Sequence, residues 1–264
     1  MITKKSLTPF VYIISVILIT AIAVSCNKEE KVPVTKDKVE KTEPKKEIKT
    51  TTETANNSAG KELFYKKSSE NNIACADCHS DGTNTSNPLT KYFTNIQGAN
   101  KRTSTFNGLI TGEEVIKTAG GATLCWENYE KMKTPLTAEQ IKSLNDYYAS
   151  VETPNSPAEI KYETIALPKK DKVKLKDEQK KIMELRGDPV KGEQAFKNTC
   201  GFCHGENSTV KKVPGILEDF DGNIKSIVYN VRLGNGPMPF FHAPSLTDQE
   251  IADISAYVMK KNGK

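Results

Sequence analysis

Two pentapeptides constrain this chain more than any other feature: Cys75-Ala-Asp-Cys78-His79 and Cys200-Gly-Phe-Cys203-His204. At the Cys-x-x-Cys-His spacing, two thiols can add to the two vinyl groups of one haem while the adjacent imidazole comes up beneath the iron. A thioredoxin-type dithiol shares the Cys-x-x-Cys, but it needs a βαβ context and does not call for the histidine. A structural zinc site requires a partner pair that neither stretch supplies alone. The sequence therefore predicts two covalently attached haem c groups. Cys75, Cys78, Cys200 and Cys203 are the attachment points, and His79 and His204 the proximal iron ligands.

The segments around the motifs repeat. Gly60-Lys-Glu-Leu-Phe64 matches Gly192-Glu-Gln-Ala-Phe196, each ahead of its motif. Downstream, Leu136-Thr137 with Ile141, Leu144 and Tyr147 matches Leu246-Thr247 with Ile251, Ile254 and Tyr257. Those apolar positions recur at helical intervals, and Thr137/Gln140 and Thr247/Glu250 have capping-box spacing. Asp188-Pro189 suits an N-cap followed by a first-turn proline. Each block is expected to run helix, motif, long loop region, closing helix, and no strand pattern is strong. The fold class is mainly α, in two tandem small domains over residues 60–151 and 188–264.

Composition fits small units. With 36% hydrophobic residues over 264 positions and a mean hydropathy of −0.54, one large core is poorly supplied. Units of this size usually need a staple, which a covalently held cofactor provides. The formal net charge of +5 is not a nucleic-acid footprint, because each block carries as many acidic as basic side chains. The excess lies in Lys4, Lys5 and the connecting segments, so no nucleic-acid partner is expected.

Residues 1–26 read as an export signal, with Lys4 and Lys5 ahead of an apolar run shorter than a typical membrane span. The run ends in Ala23-Val24-Ser25-Cys26, which resembles a bacterial lipobox and makes Cys26 the lipidation site. The alternative is an uncleaved anchor helix. Either places the remainder on the periplasmic side of a bacterial membrane, where haem is attached, and acyl chains at Cys26 would hold it to the bilayer. Residues 27–59 have few large apolar side chains and read as a disordered tether. Residues 152–187 read as a linker with a short helix near 177–186.

Residues 188–264, and more loosely 60–151, resemble class I cytochrome c domains. In that family a methionine in the loop before the last helix completes the iron's coordination. Gly234-Asn-Gly-Pro-Met238-Pro239 followed by Leu246-Thr-Asp-Gln-Glu matches this segment, so the resemblance assigns Met238 to the second haem. His242 and Met259 are the rivals. For the first haem an inventory is needed, because His79 and His204 are committed and His242 lies in the other block. The sulfur candidates within 60–151 are Cys125 and Met132. Cys125 is also the odd thiol once the other cysteines are assigned, and its plain alternative is a small buried hydrophobe.

Ala74-Cys-x-x-Cys-His79 with Asp-Gly-Thr, Cys125, Met132, Pro135-Leu136 and a tyrosine-containing helix resembles the N-terminal domain of diheme thiosulfate dehydrogenases and of the SoxAX A subunit. That resemblance implies a haem ligated by Cys125, a catalytic role for it, and a small inorganic sulfur anion as substrate. Arg102, Lys131 and Lys133 are the cations that would attract one. The chain departs from the pattern after the cysteine, where it reads Trp126-Glu-Asn-Tyr-Glu-Lys-Met132. Electron transfer to and from redox partner proteins is the leading expectation, and sulfur-anion oxidation at the first haem the alternative. Thiolate and thioether ligands set different potentials, so electrons would run from the Cys125 side toward the Met238 side.

Overall fold

The computed structural model describes residues 49–83, 87–106, 108–156, 172–218 and 220–264. The expected leader, the lipidation site Cys26 and the tether up to residue 48 lie outside the described residues. The first block opens with α1 (Lys49–Tyr65) and the single-turn α2 (Cys75–Cys78), followed by 3₁₀ turns at Pro88–Tyr92 and Ala99–Lys101. Strands β1 (Ser104–Thr105) and β2 (Ile110–Thr111) pair antiparallel, and α3 (Glu114–Lys117), α4 (Ala122–Asn128) and α5 (Ala138–Ser150) complete the block. Then come α6 (Lys172–Met183), α7 (Pro189–Thr199), α8 (Gly201–His204), α9 (Ile224–Leu233) and α10 (Asp248–Lys261). The architecture is mainly α, and among the described residues a two-stranded ladder only closes a loop. Among the described residues no helix is long and apolar enough to cross a membrane.

The repeated sequence features meet in space. A Cβ on Gly60 would lie 2.0 Å from the Ser143 carbonyl oxygen on α5, and one on Gly192 would lie 2.0 Å from that of Asp253 on α10. Only glycine lets these backbones cross so closely. One turn further along, Phe64 packs at a tilt on Tyr147 with ring centres 5.7 Å apart, and Phe196 on Tyr257 at 5.5 Å. Both phenylalanines are buried, worth roughly 1.5–3 kcal/mol each. The closing helices start where the capping boxes predict: Thr137 accepts from the Gln140 N–H and Thr247 from the Glu250 N–H, both at 3.2 Å. Asp188 caps α7, with Pro189 in its first turn.

Three features depart from the sequence expectation. Helix α1 begins at Lys49, ahead of the boundary that composition places at residue 59. The loop region of the second block contains α9, whose Ile224, Ile227, Val228 and Val231 fall at helical spacing, with Asn223 as N-cap. Most consequentially, the short helix expected near 177–186 is α6, which starts five residues earlier and is part of the core, with Leu175 and Ile182 buried. Its Glu178 meets Arg232 Nε at 2.6 Å, although the N–H is not aligned for a hydrogen bond, and Lys181 pairs with Asp248 at 2.6 Å.

The blocks also interlock. Leu89 and Tyr92, from the first block's 3₁₀ turn, are buried in the core built by α6, α7, α9 and α10. The Lys211 N–H donates to the Asn71 carbonyl at 2.9 Å, and Asn72 Nδ2 to that of Thr209 at 3.2 Å.

Asp81, just past the first motif, ties α1 to α5. Its Oδ2 accepts from the Tyr65 and Tyr147 hydroxyls, each at 2.6 Å, and its Oδ1 from the Thr83 amide and hydroxyl. Burial acts to raise this carboxyl, but the hydrogen bonds outweigh it and hold the group below the ordinary aspartate range. Its stabilising contribution is therefore complete above the ordinary value and lost as pH falls through the lower folded one. Asp81→Asn is expected to cost about 1.5–3 kcal/mol at neutral pH. Urea denaturation should show this difference shrinking on acidification, and an undiminished difference would contradict the charge-based account.

Candidate functional site

Both motifs close the same backbone hydrogen bond, from the histidine to the first cysteine. The His79 N–H donates to the Cys75 carbonyl at 2.9 Å, as that of His204 does to Cys200 at 2.8 Å. Asp77 caps the first turn by accepting from the Ala74 amide at 2.7 Å, and Lys67 holds its other oxygen. Each imidazole is then fixed through Nδ1 on a backbone carbonyl, His79 on Thr94 at 2.7 Å and His204 on Pro214 at 3.0 Å. This leaves Nε2 as the metal-binding nitrogen in both rings, and a carbonyl partner on Nδ1 is the arrangement that orients a ligating histidine. Burial lowers both imidazoles below the ordinary histidine value, which keeps them in the neutral, ligating form.

One cavity of about 550 Å³ is lined by both Cys-Cys-His sets. Cys125, Met238 and His242 also line it, whereas Met132 and Met259 are not among its lining residues. Met132 lies half-buried with its sulfur accepting from Ser68 Oγ at 3.4 Å, and Met259 packs against the second core. His242 contacts Ser245 Oγ at 3.0 Å through Nε2, and burial followed by the Arg232 charge lowers it to about 4. Cys125, Met238 and His242 thus share one cavity wall with both motifs.

All five described cysteines are free thiols. Burial pushes Cys125 and Cys200 up to about 12 and Cys203 to about 11, and holds Cys75 and Cys78 well above an ordinary thiol. A dithiol exchange centre needs the opposite, a depressed thiol. The donor set, two thiols at least half-buried and an oriented neutral imidazole facing an apolar cavity, fits a haem. Two further cavity residues carry buried oxygens without a protein hydrogen-bond partner, Glu130 Oε2 and Thr199 Oγ1. Glu130, whose Oε1 accepts from the Cys75 thiol at 3.0 Å, is raised by burial to about 7.

The cations named for a sulfur anion are otherwise engaged or exposed. Arg102 Nη2 donates to the Asn95 carbonyl at 2.6 Å and that of Gln97 at 3.3 Å, bracing the loop that carries Thr94. Lys131 and Lys133 lie on the surface, Lys133 3.9 Å from Glu70. Sequence reasoning missed the two orienting carbonyls, since a backbone oxygen has no residue signature. Pro214-Gly215, a pair of residues that breaks regular structure, is the one available signal. It also missed Glu130, whose burial is set by distant packing.

Residues 187–258 match the family model described as cytochrome C oxidase, cbb3-type, subunit III. Cytochrome c6 of Diacronema lutheri is 38% identical over 84 residues, which is 29% of this chain and 100% of that protein. Cytochrome c6 of Parathermosynechococcus lividus is 36% identical over 85 residues, 29% of this chain and 94% of that protein. No solved structure matches the chain. With the repeated helix crossing and the oriented imidazoles, these matches show that the chain belongs to the class I c-type cytochromes, mainly α proteins that carry covalently bound haem c and transfer electrons.

Proposed function

We propose that this chain is an exported diheme electron carrier, held at a bacterial membrane by lipid on Cys26. One haem is attached at Cys75 and Cys78 with His79 as proximal ligand, the other at Cys200 and Cys203 with His204. The observation that carries this reading is the equivalent setting of the two imidazoles, each tied through Nδ1 to a backbone carbonyl beside its own thiol pair. Met238 is the residue to complete the second iron's coordination. Cys125 is the one for the first, favoured over Met132 by its place in the cavity wall. Bound haem supplies one-electron chemistry, and the two ligand sets separate the potentials. The chain's own residues fix the rings, exclude water and keep the two sites adjacent for exchange with redox partner proteins.

Intact-mass spectrometry of the exported protein should show the added mass of two haems, and Cys75→Ser/Cys78→Ser should remove one of them. A protein carrying a single haem would overturn the diheme reading. Low-temperature EPR of the oxidised protein tests the ligands. Cys125→Ala should change the first haem's signal while Met132→Leu leaves it unchanged, and the reverse pattern would transfer the assignment to Met132.

A further inference from the structure

We infer that Phe93 and Phe241 are positioning residues that couple the two haem sites, so that perturbing the second site's ligand loop shifts the first site's reduction potential. The inference rests on the two-haem reading above. Phe93 follows the first block's 3₁₀ turn, and Phe241 lies in the second block's loop just after Met238. Their ring centres are 5.3 Å apart, and Tyr92 adds an edge-on contact to Phe241 at 5.9 Å. Phe93 also stands 5.9 Å from the ring of His79, and its neighbour Thr94 supplies the carbonyl that fixes His79 Nδ1. A side chain of one block therefore presses on the residue beside the orienting group of the other block's iron ligand.

Phe241 is anchored where it does this. Its amide donates to the Val231 carbonyl at 2.7 Å, and its own carbonyl accepts from Arg232 Nη1 at 2.9 Å. Arg232 is tied in turn to Glu178 on α6 and to Asp248 at the start of α10. The Met238 end of the loop is clamped by paired backbone hydrogen bonds with Asn235, both 3.0 Å. At interior packing density a ring held in this way cannot move without displacing its neighbours. Any shift in the Met238 loop is thus passed through Phe241 and Phe93 to the Thr94 carbonyl. The strength of that carbonyl's hydrogen bond to His79 tunes the donor power of the imidazole and hence the iron. Coupling of this kind is reciprocal in free energy, so each site senses the other.

The test is an EPR-monitored redox titration of the full-length, haem-loaded protein, with haem content fixed beforehand by intact mass. The low-spin signal missing from Cys75→Ser/Cys78→Ser belongs to the first site. Phe241→Leu, a substitution in the other block, should shift that signal's redox equilibrium by roughly tenfold, about 59 mV for one electron. Phe241→Tyr keeps the ring and should leave it near the wild-type value. Phe93→Leu combined with Phe241→Leu should move it no further than Phe93→Leu alone, since both remove one contact. The coupling is overturned if Phe241→Leu moves only the second site's signal, or if Phe241→Tyr shifts the first as far as leucine does. A mass showing one haem overturns the two-haem reading, and the coupling with it, before any titration is made.

Discussion

Gly192→Ala should lose about 3 kcal/mol of stability even though alanine is the better helix former by ~1 kcal/mol. The sign is decided by what the new methyl group meets. An ideal Cβ on Gly192 lies 2.0 Å from the Asp253 carbonyl oxygen, 2.5 Å from its carbon and 2.9 Å from Tyr257 Cβ. Two of these atoms are helix backbone, so α7 and α10 must separate, and the Phe196–Tyr257 contact at 5.5 Å loosens with them. In a cooperative unit of this size the loss corresponds to a fall in melting temperature of roughly 6–12 °C. Gly60→Ala should behave alike, because its Cβ would meet the Ser143 oxygen at the same 2.0 Å. Gly215→Ala is the control, since an added Cβ there has nothing within 4 Å. Thermal melts of the three variants decide the matter. Equal melting temperatures for Gly192→Ala and Gly215→Ala would show that the crossing tolerates a side chain and that the repeated glycines are incidental.

The same crossings show why part of this structure was legible in the sequence. Gly60 and Phe64 on one side, and Leu144 and Tyr147 on the other, act through local periodicity and contact geometry that a repeated pattern exposes. The motifs are legible for a similar reason, since attachment chemistry fixes three positions within five consecutive residues. What stayed hidden depends on partners far along the chain. Leu89 and Tyr92 sit in a polar-looking stretch of the first block, and the second block, through α7 and the loop that carries Phe241, makes them core residues. The cavity wall separates Cys125 from Met132 through the turn after α4, where the Met132 amide donates to the Trp126 carbonyl at 3.0 Å. Spacing from the closing helix does not encode that turn. The linker is expected to hold a short helix near 177–186, but its composition does not show that this helix is part of the core: Lys174, Lys176 and Lys180 face solvent, while Leu175, Gln179 and Ile182, at helical spacing, turn inward.

Arg232→Ala carries the second large expected effect and tests whether α6 is structural. The arginine is 2% exposed; it pairs with Glu178 at 2.6 Å and donates to Asp248 at 2.6 Å and to the carbonyls of Phe241 and Leu246 at 2.9 and 2.8 Å. Removing it leaves two carbonyls unpaired, two carboxylates facing each other and a void, for an expected loss of about 3–5 kcal/mol. Arg232→Met fills most of the void but supplies no donor, so it should recover only the packing part. Glu178→Gln removes one charge but leaves the guanidinium its Asp248 partner and both carbonyls, so it should be the mildest of the three. The pH dependence separates charge from packing. Burial works to raise Asp248, but its hydrogen bonds from Lys181 and Arg232 prevail and hold it below its ordinary value of 3.8. That contribution is complete above 3.8 and disappears as pH falls through the lower folded value, so the gap between wild type and Arg232→Met should narrow on acidification. Chemical denaturation across that range would show it. If Glu178→Gln and Arg232→Met both match wild type at neutral pH, α6 is only a connector resting on the second block, and Phe241 owes its position to the Val231 carbonyl alone.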